Sequence, residues 1–416
     1  MKKDKIFISI ASYRDPELIP TIEDCIKNAD KPSNLIFGIY NQFCKDDSFG
    51  DLSKYKKKKN FRIVNISYKR SLGVCDARYK IQKLYKGEEY YFQLDSHHRF
   101  VKGWDTKLKK TLKDLTKKSK KPILSSYLPS YDPNAKNEDR LIDVWRMYID
   151  RFMPEGPIFI FPETIKNWKR KGPEKARFIS GHFIFSFGDF CEQCPYDPNL
   201  YFHGEESSLA VRAFTHGYDL YHLHRPWVWH YYHRSNGSRH WDDVPKWDTL
   251  NLKSFQRFKA LLGMDGQKPK HFPKFGLGKE RTLKDYEEYS GIRFSNRNIH
   301  EHAYERRVPP TPKKDYEDKF ISEFKYCIDV HKPSFTEKDY DVWVIAFKDR
   351  NGKEMARLDA EEEEVKRLLN EDPKDDFVRL WRQFKTSELP AKWLIWPHSK
   401  SKDWMPIIEG EIPIEI

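Results

Sequence analysis

The chain has 416 residues, which is long enough for one large domain and a smaller one. Its residues are 38% hydrophobic and 15% aromatic, which is enough for a sizeable core. It contains no run of about 18 apolar residues, so the composition excludes a membrane-spanning helix. The formal net charge is +13, but residues 317–416 contain 17 basic and 23 acidic side chains, so they carry −6 and the first 316 residues carry +19.

The basic charge of the first 316 residues has two explanations. Lysine-rich stretches at 54–59, 107–121 and 166–175 form either an ordinary solvated surface or a contact for a polyanion. The polyanion would be a nucleic acid or an acidic protein surface. Net charge alone does not separate these explanations.

The N-terminal segment and the cysteines both favour the cytosol. The apolar stretch from Ile6 to Ile10 is too short for a secretory signal and is soon followed by charged residues, so we expect no signal peptide. The six cysteines are scattered apart from Cys191 and Cys194, and one such pair favours reduced structural thiols over a zinc site. We therefore expect a cytoplasmic protein, or one in the host cytoplasm if its origin is viral.

Strands and helices alternate through the first third of the chain. Apolar runs predict strands at 6–12, 35–40, 61–67 and 90–94, and helices at 16–28, 74–85 and 104–115. This alternation predicts an α/β fold with a mostly parallel central sheet. In open sheets of this kind, ligands bind beyond the carboxyl ends of the strands. Asp95 and the segment 12–14 both lie at such ends.

The pattern is less regular beyond residue 122. We expect strands at 178–187, 218–223 and 227–232, helices at 205–215 and 250–262, and a loop at 235–245. Residues 296–314, rich in Arg, His and Pro, predict a linker, so we divide the chain into a domain at 1–295, a linker at 296–316 and an acidic module at 317–416.

The acidic C-terminal module has mixed α and β features. A hairpin is predicted around residues 350–352, between strands at 342–347 and 354–358, and a helix at 360–369. We expect its tryptophans to lie in the core of the module rather than to form a platform on which a sugar stacks. They are Trp343, Trp381, Trp393, Trp396 and Trp404.

Asp95 and His97 follow directly on the apolar strand at 90–94. Residues i and i+2 of an extended backbone share a face, so both side chains can reach one ion. A divalent cation held there could neutralise a diphosphate and assist its departure. The alternative is an ordinary strand end, because a short Asp-x-His sequence is common. By the same alternation, His98 should point away from the ion.

Two carboxylates, Glu205 and Glu206, open a predicted helix after Gly204, which permits close backbone approach. First-turn acids are also favoured by the helix dipole alone. Either carboxylate could orient an acceptor hydroxyl or a sugar, and we favour Glu205.

An imidazole at the end of a later apolar strand, His230, could be the third ligand of the ion. It could equally be a packed histidine of an aromatic strand, and His233 and His240 are competing ligands. One carboxylate oxygen and two imidazoles form a mixed ligand set that suits Mn²⁺.

These motifs occur in one order over about residues 5–245, and together they resemble the GlcNAc-transferase family, which includes cytoplasmic enzymes that modify hydroxyproline. The Asp-Ser-His triplet, the Gly-Glu pair and the later histidine are also similar to those of the mucin-type polypeptide GalNAc-transferases. The segments that carry the resemblance are 8–16 (ISIASYRDP), 73–78 (GVCDAR), 91–100 (YFQLDSHHRF), 103–105 (GWD), 180–182 (SGH), 195–200 (PYDPNL), 202–206 (FHGEE), 215–221 (THGYDLY) and 230–232 (HYY).

The resemblance implies the GT-A fold and a metal-dependent, retaining glycosyltransferase that moves a sugar, GlcNAc by default, from a UDP-sugar. It implies Mn²⁺, or another divalent cation such as Mg²⁺, held by Asp95, His97 and His230, with Glu205 facing sugar and acceptor. Whether Glu205 is a nucleophile or an orienting group is left open by the sequence. His182 stands where the family usually has an apolar residue, so it could touch the donor and alter the choice of sugar. The implied nucleotide-sugar site comprises Ala11, Ser12, Arg14, Arg78, Asp95, Ser96 and His182.

The acceptor is left open by the sequence. The resemblance favours a hydroxyl on a protein, such as hydroxyproline, or on a glycan. The basic first 316 residues favour instead a hydroxymethylated pyrimidine in DNA. A third hypothesis is an inactive module that binds a glycan or a nucleic acid, against which the intact metal motif argues.

Overall fold

The computed structural model describes residues 2–136, 139–153, 155–233, 237–314, 316–371, 375–386 and 389–412. The described strands are β1 (Lys2–Tyr13), β2 (Leu35–Phe43), β3 (Phe61–Ser67), β4 (Glu88–Leu94), β5 (His98–Phe100), β6 (Pro122–Leu124), β7 (Trp145–Phe152), β8 (Ile158–Thr164), β9 (Phe183–Phe187), β10 (Asp219–Tyr221), β11 (Val228–His230), β12 (Ile292–Arg293), β13 (Asn298–His300), β14 (Phe320–His331), β15 (Tyr340–Lys348), β16 (Glu354–Arg357), β17 (Ala360–Glu361), β18 (Phe377–Thr386), β19 (Lys392–Ser399), β20 (Asp403–Trp404) and β21 (Ile408–Glu411). The described α-helices are α1 (Leu18–Asn28), α2 (Ser53–Lys56), α3 (Val74–Gln82), α4 (Trp104–Leu115), α5 (Phe190–Gln193), α6 (Glu205–Thr215), α7 (His240–Asp243), α8 (Trp247–Leu262), α9 (Leu283–Ser290), α10 (Glu301–Tyr304) and α11 (Glu362–Asn370).

The central sheet has the strand order β10-β6-β9-β4-β1-β2-β3. Strand β1 pairs in parallel with β2 and β4, β2 pairs in parallel with β3, and β9 is antiparallel to β4 and β6. The predicted α/β fold with a mostly parallel central sheet is confirmed. Among the described residues, no helix is both long and apolar enough to span a bilayer.

Strand β1 is apolar on both faces because helices cover both. Ile8 packs in a cluster with Leu18 of α1 and Leu108 of α4. Phe7 packs on the other face with Ile81 of α3. A parallel strand that is buried on both faces has a continuous run of apolar residues, and this run is the pattern from which the strand was predicted.

Several predicted elements differ from the structure at their ends. The helix predicted at 74–85 ends at Gln82, and the strand predicted at 178–187 is only β9. The loop predicted at 235–245 contains the short helix α7, while its first two residues lie outside the described part of the chain.

Part of the segment predicted as a linker forms regular structure. Ile299 of β13 and Ala303 of α10 are buried in an apolar cluster with Phe258 of α8. Strand β13 also pairs with β14, which continues into the C-terminal region. The division of the chain at residues 295 and 316 stays a prediction.

The C-terminal region contains two antiparallel sheets that share one apolar core with α11. One sheet includes β14 and β18, and the other includes β15 and β19. Trp343 and Trp393 are buried in this core, as expected. The same expectation is wrong for Trp381, Trp396 and Trp404, which are 57%, 37% and 43% exposed.

Candidate active site

Two pairs of strands bring the candidate residues together. Ile10 of β1 lies opposite Leu94 of β4 in parallel register, so the segments after both strands emerge at the same edge of the sheet. The short strand β5 then pairs antiparallel with β11, which places His230 opposite His98. The site therefore lies beyond the carboxyl ends of parallel strands, where the sequence predicted it.

Asp95, His97 and His230 form a cluster of three side chains that could hold a metal ion. The Nε2 atoms of the two histidines are 3.1 Å apart. The Asp95 Oδ2 atom is 3.9 Å from Nε2 of His97 and 3.5 Å from Nε2 of His230. Bonds of about 2.0–2.2 Å at angles between 90° and 120° would separate ligand atoms by roughly 2.8–3.8 Å, a range that contains two of these distances and ends just short of the third. The spacing and the donor set therefore fit a divalent cation.

Asp15, which follows β1, orients one of these histidines. Its Oδ2 atom lies 2.7 Å from His97 Nδ1 and accepts a hydrogen bond of 2.6 Å from the Ser96 hydroxyl. A carboxylate that accepts from Nδ1–H fixes the tautomer whose Nε2 lone pair faces the ion. No sequence pattern assigned Asp15 to the metal site, so this contact was missed.

Arg78 connects the metal cluster to Glu205, one of the two predicted catalytic carboxylates. Its Nη2 atom donates to Asp95 Oδ1 at 2.7 Å, and its Nη1 atom forms an ion pair with Glu205. Burial works against ionisation of Asp95, but the Arg78 guanidinium together with His230 and His97 holds the pKa of that carboxyl well below its ordinary value. The Asp95 carboxylate is therefore ionised near neutral pH.

Glu205 is buried and held by several donors. Besides Arg78, the Cys75 thiol donates to Oε2 at 3.2 Å and the Tyr196 hydroxyl donates to Oε1 at 3.3 Å. Burial raises the pKa of Glu205, and Arg78 opposes that shift. With both oxygens accepting hydrogen bonds, this carboxylate has a fixed orientation.

Glu206 has a different environment from its neighbour. The backbone N–H of Gly181 donates to its Oε1 at 2.7 Å, and the Tyr127 hydroxyl donates to its Oε2 at 3.0 Å. Burial raises the pKa of Glu206 to about 7. A carboxyl that titrates near neutral pH can exchange a proton with a substrate hydroxyl.

His182 lies against the metal cluster. Its ring stacks on that of His230, with centroids 4.2 Å apart, and its Nδ1 lies 3.0 Å from the Ser180 hydroxyl. Its Nε2 accepts from the backbone N–H of Leu128 at 3.3 Å. Burial lowers the pKa of His182 well below its ordinary value, so the ring is neutral. A neutral ring stacked on His230 limits how the His230 imidazole can rotate.

A cavity of about 540 Å³ opens over these residues. Ser12 is buried beside the lining residue Ala11, and the Arg14 guanidinium is bound by Asp47 and Asp243. The structure therefore does not bring Ser12 and Arg14 into the cavity lining. The predicted site residues that do line the cavity are Ala11, Arg78, Asp95, Ser96, His97, His182, Glu205, Glu206 and His230.

Sequence reasoning missed the aromatic wall of the cavity. Tyr127, Phe159, Phe202 and Trp241 all line it. Phe159 comes from the β7–β8 hairpin and Trp241 from α7, both in the irregular part of the chain. Of these four residues, Phe202 alone lies within a motif that carries the family resemblance, and that motif was interpreted through its two carboxylates.

A family model described as "Glycosyltransferase (GlcNAc)" matches residues 5–60 and 49–296, which is more than half of the chain. No curated protein matches the sequence.

Solved structures show distant similarity. GalNAc-T7 with UDP, GalNAc and Mn²⁺ is 15% identical with a TM-score of 0.47, covering 62% of this chain and 49% of its own. TarS 1–349 of S. aureus with UDP-GlcNAc is 12% identical with a TM-score of 0.38, covering 58% of this chain and 61% of its own. Full TarS of S. aureus is 10% identical with a TM-score of 0.37, and the match covers 98% of this chain and 77% of TarS. This chain thus spans about half the length of GalNAc-T7.

Proposed function

The chain belongs to the GlcNAc glycosyltransferase family, and we propose that it transfers GlcNAc from UDP-GlcNAc to a hydroxyl on a protein or glycan, with a divalent cation and retention of configuration. The observation that carries this proposal is the cluster of Asp95, His97 and His230, with Asp15 behind it, at the floor of a cavity beyond the central sheet. A glycosyltransferase that uses a nucleotide sugar must stabilise the departing diphosphate, and this cluster stands where a cation could do so.

Asp95, His97 and His230 would hold Mn²⁺ or Mg²⁺. When bound, the cation supplies positive charge that stabilises the leaving UDP. Arg78 keeps Asp95 ionised and fixes its second oxygen, so the carboxylate is ready to bind the cation without first losing a proton.

The two glutamates have different proposed roles. Glu205, with both oxygens hydrogen-bonded, is held rigidly and orients the donor sugar or the acceptor hydroxyl. Glu206, whose pKa is raised by burial to about 7, accepts the proton of the acceptor hydroxyl as that oxygen attacks the anomeric carbon. Ala11, Ser96 and His182 line the same cavity and would contact the nucleotide sugar.

The lining of the cavity favours a protein or glycan acceptor over DNA. Among the described lining residues, the arginine and lysine side chains are Arg78, which is paired with two carboxylates, and Arg239. The lysines of residues 107–115 instead lie along α4, whose apolar side packs on one face of the sheet. A DNA backbone needs several unpaired cations beside the reacting base.

The test is release of UDP from UDP-GlcNAc by the full chain with and without Mn²⁺, compared with other UDP- and GDP-sugars. We expect His97→Ala to abolish release, while His233→Ala, an exposed histidine three residues after His230, keeps it. Mass spectrometry then follows transfer to hydroxyproline peptides and to duplex DNA containing hydroxymethylcytosine. Full activity of His97→Ala, or activity that resists EDTA, contradicts the metal site, and glycosylation of the DNA alone contradicts the acceptor.

A further inference from the structure

The C-terminal module has an exposed aromatic patch on β19 and β20. Trp396, His398 and Trp404 form it, and we call it the tryptophan patch. His398 lies opposite Trp404 in the antiparallel pair, and Trp396 is two residues before His398, so all three side chains share one face. The two indole rings have centroids 4.4 Å apart at an interplanar angle of 35°, and the His398 ring contacts Trp404 edge-on at 4.9 Å.

The tryptophan patch lies outside the module's apolar core. Trp393 and Ile395 of the same strand are members of that core, whereas Trp396 is more than a third exposed. Alternation along β19 turns Trp396 to the opposite face of the sheet from Trp393 and Ile395. Adjacent exposed tryptophans are unusual on a surface that has no ligand, because each leaves apolar area in water.

Two carboxylates flank the patch, each within reach of a His398 ring nitrogen. His398 Nδ1 lies 2.6 Å from Asp341 Oδ1, and its Nε2 lies 3.2 Å from Asp403 Oδ1. The hydrogen bond to Asp341 raises the pKa of His398, which favours the doubly protonated ring that can donate to both. Asp403 is 82% exposed in its side chain, so its carboxylate can accept further hydrogen bonds from a ligand.

Flat aromatic rings beside carboxylate hydrogen-bond acceptors match the chemistry of a sugar ring. The C–H face of a pyranose carries partial positive charge, which the negative face of an indole attracts, and its hydroxyls donate to carboxylates. A polyanion does not fit, because Asp341 and Asp403 border the patch and residues 317–416 carry a net charge of −6. We propose that the tryptophan patch is a binding site for a neutral oligosaccharide, separate from the cavity of the transferase.

The experiment uses the full chain labelled with 5-fluorotryptophan and observed by fluorine NMR during titration with chitotriose, cellotriose and maltotriose. The signals of Trp396 and Trp404 are assigned with Trp396→Phe and Trp404→Phe. At least one triose should shift both signals in a saturable way. The signal of Trp381 should stay constant, because this exposed residue lies on the other sheet under Lys325, whose amino group is 5.2 Å from its ring.

Variants separate sugar binding from a structural role of the stacked rings. Trp404→Ala should weaken triose binding about tenfold or more, since it removes one stacking face. Asp403→Asn, which keeps both indoles, should also weaken it, with release of UDP from UDP-GlcNAc unchanged in each variant. The proposal is overturned if no triose shifts the two signals or if Trp404→Ala binds as the parent does. It is also overturned if the chain sediments as a dimer that Trp404→Ala converts to a monomer, because the patch would then be an interface between two copies.

Discussion

Replacing Asp15 with asparagine should weaken metal binding without removing any ligand atom. Asp15 and His97 are both buried, at 5% and 4% exposure, and their hydrogen bond of 2.7 Å joins a carboxylate to an imidazole N–H. A hydrogen bond to a charged group contributes about 1.5–3 kcal/mol, and second-sphere carboxylates change metal affinity about 10–100-fold. We therefore expect the Mn²⁺ concentration for half-maximal UDP release to rise about 10–100-fold, because the neutral amide holds His97 less firmly.

The assay is UDP release from UDP-GlcNAc over a series of Mn²⁺ concentrations. Saturating Mn²⁺ should restore most of the activity of Asp15→Asn, as expected when only the affinity has changed. Glu17→Gln is the matched control, because Glu17 is a nearby carboxylate that pairs with Arg99 and not with His97. An Mn²⁺ dependence of Asp15→Asn equal to that of the parent would refute the assignment of Asp15.

Two further predictions concern the glutamates. A Cβ atom at Gly181 would lie closer than 3.0 Å to Glu205 and Arg78. Gly181→Ala should therefore lower UDP release about tenfold or more. Gly172→Ala is the control and should not change the rate, because a Cβ atom at Gly172 would have no neighbour within 4 Å. Equal rates for these two variants would contradict the importance of the ion pair. Burial raises the pKa of Glu206 from 4.5 to about 7, so the folded protein binds a proton at this carboxyl more tightly than the unfolded chain does. The contribution of Glu206 to the free energy of unfolding therefore falls as the pH rises from about 4.5 to 7 and is constant at higher pH. The free energy of unfolding of Glu206→Gln, minus that of the parent, should therefore be about 1–3 kcal/mol larger at pH 8 than at pH 4, as measured by urea unfolding. The same difference at both pH values would show that Glu206 titrates normally.

Local sequence patterns predicted the elements that position the site. The strand Phe61–Ser67 and the helices Trp104–Leu115 and Glu205–Thr215 have the predicted bounds. Each combines a clear apolar period with a marked boundary: Gly103 precedes one helix, and Gly204 the other. Helix and strand signals of this kind depend on neighbours in sequence, so the chain alone contains them.

Contacts between distant segments could not be predicted in the same way. Asp15 reaches His97 only because β1 and β4 pair in parallel register. Arg78 binds both Asp95 and Glu205, and Glu205 lies 127 residues after Arg78 in the sequence. The exposure of Trp396 likewise depends on which face of β19 meets the opposing sheet. An alternating pattern predicts two faces of a strand but does not say which one is covered.

The most direct test of the central claim is the binding of Mn²⁺ to the full chain, measured by electron paramagnetic resonance in the presence of UDP. Asp95, His97 and His230 should together bind one ion per chain. His230→Ala should lose that binding together with UDP-GlcNAc turnover, while His233→Ala should keep both. Unchanged Mn²⁺ binding and turnover in His230→Ala would contradict the proposed metal site.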